Sequence, residues 1–171
     1  MDKVRCSKCG AEHDVGEIEL SFDQPAAYYE ISEDERANRV ATNEMATVID
    51  SETRQARFFL RGVIVIPVRG ETHRDGFGWG VWAEVSEYDF ERVIETWNNE
   101  NRASESPVRG RLANELRTFA GSLGLAVQLR LQAPGTAPEI DILAKDHALG
   151  AKQRNGAQPE DVLEWVSPLL H

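Results

Sequence analysis

Two cysteines and a histidine near the start of the chain have the spacing of a metal half-site. Cys6 and Cys9 are separated by two residues, and Gly10 and His13 follow them. In a CxxCG turn two thiolates lie on one side of a tight loop, because glycine permits a positive φ and backbone N–H groups can point at the sulfurs. The spacing therefore predicts a zinc-knuckle-like N-terminus in which Cys6, Cys9 and His13 bind a structural zinc ion.

Structural zinc takes four ligands, so the fourth must come from elsewhere in the chain. Asp14, His73 and His147 are the visible options. Two interpretations without zinc stay open: a pair that holds no metal, and a redox pair. The redox interpretation is disfavoured because only five residues precede Cys6, too few for the strand that a thioredoxin-like motif follows. A disulfide framework is excluded because Cys6 and Cys9 close too short a loop.

One arginine lies inside the most apolar segment of the chain. Arg61 is central in residues 57–68, RFFLRGVIVIPV. A guanidinium that is always charged needs either a carboxylate partner or a cavity in such a place. The sequence favours a buried ion pair with Glu84 on the neighbouring strand. The alternative is that Arg61 forms the anion-binding floor of a pocket walled by Trp79 or Trp82.

An adjacent acid and histidine form the third candidate. Asp146 and His147 diverge in direction as sequence neighbours, so we expect Asp146 to cap a helix that begins at His147. Alternatively, His147 contributes to a ligand pocket together with Arg61, Trp82 and Glu84. No G-x-S-x-G elbow, P-loop ending or HExxH motif is present, so no catalytic residue is predicted.

The elements that position these residues follow from hydrophobic periodicity. The segments 57–68 and 77–85 predict an antiparallel hairpin, with Trp79 directed into the core. Ser86 is expected to cap a helix with an apolar stripe of Phe90, Val93, Ile94 and Trp97. Residues 100–111 are polar and predict a long loop. Further elements are expected as a helix from Ser32 to about Val40, strands at 47–49, 125–131 and 139–143, and helices over 147–155 and from Pro159 onward.

Adjacent strands with few crossover helices predict an α+β fold with a mainly antiparallel sheet. The chain has 171 residues, the size of one ordinary domain. We therefore predict a single domain over 1–171, in which 1–30 form an irregular segment with the cysteines and 31–171 form the α+β core.

The charge balance restricts the partners. With 19 Lys and Arg against 29 Asp and Glu, the formal net charge is −10. This excludes a general attraction for nucleic acid or an anionic membrane surface, and it favours a basic protein partner. The absence of a long apolar run and of a signal-peptide core predicts a cytoplasmic location. The oligomeric state does not follow from the sequence.

The segments CSKCGAEH (6–13), FFLRGVIVIPV (58–68), FGWGVWAEVSE (77–87) and DHALGAKQRNG (146–156) together resemble a bacterial family known only as a domain of unknown function. Its members read CxxCGxxH, an RG strand, WGVW followed by Ser, and a DHPLAxEQxxG-like segment. The chain departs from that pattern at Ala148, where the family has proline, and at Thr47, where it often has cysteine. The resemblance implies a small bacterial cytoplasmic protein without an assigned activity.

Two functions of different classes follow. The leading hypothesis is a non-enzymatic binding or interaction protein, regulatory or immunity-like. The alternative is a small-molecule-binding or hydrolytic enzyme with a pocket around Arg61, Trp82, Glu84 and His147. A concave pocket lined by those four residues would favour the enzyme. A flat acidic face with exposed aromatic residues would favour the interaction protein.

Overall fold

A computed structural model describes residues 3–5, 10–14, 20–37, 44–50, 52–70 and 76–169. The strands are β1 (Lys3–Arg5), β2 (Glu12–Asp14), β3 (Leu20–Ser21), β4 (Met45–Ile49), β5 (Ala56–Ile66), β6 (Phe77–Val85), β7 (Val108–Leu112), β8 (Ala126–Arg130) and β9 (Glu139–Ile142). The α-helices are α1 (Ala26–Glu30), α2 (Glu33–Ala37), α3 (Glu87–Glu95), α4 (Ala148–Asn155) and α5 (Pro159–Val166). None of the helices in these ranges is long and apolar enough to span a bilayer.

Five strands close into a barrel. β5 to β9 follow one another as antiparallel neighbours, and β9 then pairs with β5. An odd number of alternating strands brings the first and last together in the same direction, so the closing pair is parallel. That closure is short: it aligns Val63 with Glu139, and the Val63 N–H donates to the Pro138 carbonyl at 2.8 Å.

The barrel interior is built from one face of each strand. Leu60, Ile64 and Ile66 of β5 are at most 1 % exposed, and they pack among the inward residues of the other four strands. Trp165 of α5 closes one end, because its ring lies 5.5 Å from that of Phe77. The aromatic cluster at this end comprises Phe77, Trp79, Phe119 and Trp165.

A second apolar cluster covers part of the outer face of the β5–β6 hairpin. Phe59 and Trp82 are fully buried there, beneath Ala27 of α1 and beside Val48 of the adjacent strand β4. The Trp82 indole Nε1 donates to the Phe22 carbonyl at 3.1 Å, which satisfies its polar atom within the core. Residues before 31 therefore contribute directly to the packing of the barrel.

The predicted α+β class, the mainly antiparallel sheet and the central hairpin are confirmed. The expected loop over 100–111 is wrong, because it contains β7. That strand directs only Val108 and Leu112 into the core, and its other residues are polar or glycine, which conceals the strand pattern. At Gly110 a Cβ atom would lie 2.5 Å from the Glu84 carbonyl oxygen, so the missing side chain lets the two strands approach.

Of the N-caps predicted for α3 and α4, the first is confirmed and the second is wrong. Ser86 caps α3 as expected, and its hydroxyl accepts the Asp89 N–H at 3.1 Å. The expected cap of α4 by Asp146 is wrong, since His147 is the N-cap and its Nδ1 accepts the Leu149 N–H at 3.2 Å. An imidazole nitrogen thus replaces the carboxylate oxygen that usually has this role.

Candidate functional site

The arginine that binds Glu84 is Arg57. The Arg57 Nε and Nη2 atoms donate to the two carboxylate oxygens of Glu84 at 2.9 and 2.6 Å, which is a bidentate pair. The strand register brings two arginines near Glu84, because Phe59 lies opposite Glu84 and Arg61 lies opposite Trp82. Arg57 and Arg61 are each two residues from Phe59, so Glu84 has two diagonal neighbours, and the structure pairs it with the first. This corrects the predicted Arg61–Glu84 pair.

The other two residues of the expected pocket, Trp82 and His147, do not line the cavity that contains Arg61. Trp82 belongs to the buried outer cluster and lines no wall of the cavity that contains Arg61. His147 uses both ring nitrogens: Nδ1 accepts the Leu149 N–H, so Nε2 carries the proton and donates to the Ala120 carbonyl at 3.0 Å. The structure therefore does not bring Arg61, Trp82, Glu84 and His147 together.

The predicted metal ligands fall largely outside the described residues. This applies to Cys6, Cys9 and His73, and His13 is described only as a backbone position of β2 opposite Val4. The described ranges contain no group of three or more His, Cys, Asp or Glu side chains that could hold a metal ion. Gly10 has the positive φ expected of a knuckle glycine, at 70°.

Arg61 lines a cavity of about 490 Å³, which we call the Arg61 cavity. It lies between the outer face of the β5–β6 hairpin, the C-terminal end of α3 and the turn before β9. Its wall is formed by Leu20, Ser21, Glu44, Arg61, Gly62, Val63, Gly80, Trp97, Asn98, Arg102, Gly135, Thr136, Ala137 and Pro138.

A buried arginine holds the walls of this cavity together. Arg102 is 1 % exposed, and it donates four hydrogen bonds of 2.8–3.0 Å to the carbonyls of Trp97, Gln132, Ala133 and Thr136. Its guanidinium also lies 4.5 Å from the centre of the Trp97 ring, a cation–π contact. Arg102 thus fixes the end of α3 against the turn before β9.

The absence of a side chain at Gly80 makes room for the guanidinium of Arg61. A Cβ atom on Gly80 would lie 3.4 Å from Nη2 of Arg61 and 2.9 Å from Cβ of Ser21. The missing side chain lets Arg61 and the short strand β3 lie close against β6. Arg61 is half-buried in this position. Gly78 and Gly80 are part of strand β6, within the segment 77–85 predicted as a strand, and Gly80 provides packing space there.

Two further cavities have walls with internal ion pairs. One of about 140 Å³ is lined by the Arg57–Glu84 pair and by Leu123, which is 50 % exposed. Another of about 320 Å³ contains Arg130, whose guanidinium binds Asp141 at 2.7 Å and Glu139 at 2.6 Å. The hydrogen bond that the Arg130 guanidinium donates to Asp141 raises the pKa of Arg130 above its ordinary value. In both cavities the arginine already binds a carboxylate on the same wall.

One side of α3 is exposed and acidic. Glu91 lies three or four residues from Glu87, Tyr88, Ile94 and Glu95, so all five share one side of the helix. All five are exposed, Tyr88 to 74 % and Ile94 to 47 %. We call this surface the α3 face. It combines three carboxylates with two large hydrophobic side chains.

Sequence reasoning missed the roles of Trp97, Ile94 and Arg102. Trp97 packs against the core as the apolar stripe predicts, but it also lines the cavity wall, and Ile94 faces outward instead of joining the stripe. Within α3, the buried side chains are those of Phe90 and Val93. Arg102 lies in a polar segment with no apolar periodicity, and only the position of the facing carbonyls shows its role.

Comparison with known proteins identifies a family and no described relative. No curated protein matches the chain, and neither does any solved structure. The match to a family covers residues 5–157, which includes the barrel, the Arg61 cavity and the α3 face. The chain therefore belongs to the family DUF2199, which is described as an uncharacterized protein conserved in bacteria.

Proposed function

We propose that this protein is a non-enzymatic interaction protein, regulatory or immunity-like, that acts in the bacterial cytoplasm by binding a basic protein partner. The α3 face carries this proposal. Exposed large hydrophobic residues flanked by charges are typical of interaction surfaces, and aromatic residues contribute strongly to binding energy. Glu87, Glu91 and Glu95 make the surface complementary to lysine and arginine side chains.

Contacts beneath and beside the α3 face hold the helix in one position, which suits a docking surface. Phe90 and Val93 anchor the helix in the core, and Ser86 caps its first turn. On the flank, Arg92 binds Asp89 at 3.0 Å and Glu105 at 3.5 Å. A helix held in this way loses little conformational freedom on binding, which favours affinity.

The test begins with covalent capture in the host. A photo-crosslinking amino acid replaces Tyr88 in one variant and Leu123, an exposed residue outside the α3 face, in another. We expect a basic protein to be captured from position 88 and not from position 123. The same captured proteins at both positions, or only acidic proteins at position 88, would contradict the proposal.

Affinity measurements with the purified captured protein then test whether the carboxylates of the α3 face contribute to binding. Glu87 and Glu91 are changed to lysine together, and we expect binding to weaken about tenfold or more, with less dependence on salt. The matched control changes Glu160 and Glu164, an exposed pair of the same spacing on α5. Equal losses in both double variants would show a general charge effect and would reject the α3 face as the binding site.

A further inference from the structure

Beyond this proposed function, we propose that the side chain of Gln153 is an exchangeable substitute for a strand, through which helix α4 controls how far the barrel closes between β5 and β9. The pairing of these two strands ends after Val63 and Glu139. Beyond that point the Gln153 side chain, and not β5, is hydrogen-bonded to β9. The fold therefore has a second arrangement open to it, in which β5 forms those bonds.

The amide group of Gln153 binds β9 in the way that a backbone peptide group would. Its Oε1 accepts the Ile142 N–H at 2.8 Å, and its Nε2 donates to the Ile140 carbonyl at 2.7 Å. A side-chain amide offers the same donor and acceptor as a peptide unit, and a neighbouring strand would use these same two groups of β9. Gln153 thus occupies the hydrogen-bonding position of a strand.

Val65 has the backbone groups that Gln153 replaces. Alternate N–H groups of β5 point away from β6, and that of Val63 donates to the Pro138 carbonyl at 2.8 Å. Val65 is the next residue of β5 with this orientation. Within the described part of the chain, the Val65 N–H and carbonyl have no hydrogen-bond partner on the β9 side, and Val65 lines the cavity of about 320 Å³ there.

The register of the existing pairing, continued by two residues, gives Val65 the same two bonds to β9. The Val65 N–H would donate to the Ile140 carbonyl, and the Val65 carbonyl would accept the Ile142 N–H. These are the two groups that Gln153 occupies. The side chain and the strand therefore exclude each other.

The two arrangements contain equal numbers of hydrogen bonds within the protein. In one of them Gln153 is bound to β9 and Val65 faces the cavity. In the other Val65 is bound and the Gln153 amide is released. Such an exchange has a small net free energy, because water satisfies whichever groups are released. The position of α4 can therefore decide between the two arrangements.

Contacts of α4 with both strands hold Gln153 in place. A Cβ atom on Gly150 would lie 2.5 Å from the Ala144 carbonyl oxygen, so the helix lies close against the segment that follows β9. After the helix, the Ala157 N–H donates to the Pro67 carbonyl at 2.7 Å, which ties this end of α4 to the end of β5. A partner that displaces α4 would withdraw Gln153 and let β5 pair further with β9.

Amide hydrogen exchange of the full chain, followed by ¹H–¹⁵N NMR, tests this exchange of partners. In the wild type the Val65 N–H should exchange at least about tenfold faster than the Val63 N–H, and the Ile142 N–H should be protected. Gln153→Met should raise the protection of Val65 about tenfold or more, while Ile142 stays protected. A scalar coupling between the Val65 amide nitrogen and the Ile140 carbonyl carbon, transmitted through the new hydrogen bond, should then be detectable.

Gln128→Met is the matched control, because it removes a half-buried glutamine of β8 whose side chain forms no hydrogen bond within the described ranges. It should leave the exchange of Val65 unchanged. Gln153→Asn has an amide one carbon too short to reach both groups of β9, so it gives the same test if the methionine variant does not fold.

Two results would overturn the proposal. One is loss of protection at Ile142 without a gain at Val65 in a folded Gln153 variant, which would show that Gln153 is a fixed cap on the edge of β9. The other is equal protection of Val65 and Val63 in the wild type, which would show that Val65 already has a partner.

Discussion

The guanidinium of Arg57 binds both carboxylate oxygens of Glu84, although Arg61 occupies the other diagonal position on the same face of β5. The Arg57 side chain also lies over the Phe59 ring, 5.4 Å from its centre. The ring separates the two arginines along the strand. Arg57 therefore has a structural role, and Arg61 lines the cavity.

A double-mutant cycle should measure this pairing. Arg57→Met and Glu84→Gln are expected to couple by about 1 kcal/mol in the free energy of unfolding, because both side chains are about one-third exposed and water screens the pair. Arg61→Met and Glu84→Gln should be additive within about 0.5 kcal/mol. Urea unfolding of the six proteins gives both values, and a larger coupling for Arg61 would contradict the pairing.

The tryptophans should differ in their access to solvent. Trp79, Trp82 and Trp165 are at most 5 % exposed, whereas Trp97 is half-buried in the wall of an open cavity. Iodide should therefore quench mainly the fluorescence of Trp97. We expect Trp97→Phe to remove most of the quenchable emission.

Trp82→Phe is the matched control for that measurement, since it removes one indole from the core and should leave iodide quenching unchanged. Greater loss of quenching in Trp82→Phe than in Trp97→Phe would restore Trp82 as a pocket wall and contradict the structure.

The acid dependence of stability should reflect Glu115. Its carboxylate accepts the N–H groups of Leu123 at 2.7 Å and Gly121 at 2.6 Å, and these bonds lower its pKa below the ordinary 4.5. A lowered pKa in the folded state stabilises the protein above pH 4.5, and the contribution is lost as pH falls through the folded-state value. Glu115→Gln should therefore destabilise the protein at pH 7 and have less effect at pH 3.

Thermal melts of both proteins across that pH range measure this difference. The expected loss at pH 7 is below about 1 kcal/mol, because the group is largely in contact with solvent. Glu100→Gln removes one exposed carboxylate away from this turn and is the control. An equal effect with the same pH dependence in both variants would indicate a general charge effect.

Zinc at Cys6 and Cys9 stays a prediction that elemental analysis can test. Protein kept reduced and purified without a His-tag should contain close to one equivalent of zinc, and the double change of both cysteines to serine should remove it. His13→Gln should lower the zinc content. His147→Gln should retain it, because both nitrogens of that ring are already bound within the protein. Less than about a tenth of an equivalent in the wild type would reject the site.

The sequence predicted the elements better than their contacts. The two strands of the central hairpin were predicted because their apolar segments are nearly continuous. The first segment ends near Pro67, and the second begins after Gly76. The partner of Glu84 could not be predicted, because two arginines are equally distant along β5 and only the three-dimensional arrangement selects one. Similarly, alternation places Trp82 on the outer face of β6, but it does not show that α1 covers that face.

The turn formed by residues 135–138 joins two parts of the molecule that are remote along the chain. The Pro138 carbonyl accepts the Val63 N–H, which closes the barrel. The Thr136 carbonyl accepts a hydrogen bond from Arg102. Joining such distant segments costs chain entropy, and the β5–β9 pairing is short, so we expect it to open more readily than the antiparallel pairs of the barrel. Because Arg102 is bound to the same turn, its hydrogen bonds also help to hold the β5–β9 pairing closed. Resistance of the barrel to local opening would then depend on a side chain that belongs to none of its five strands.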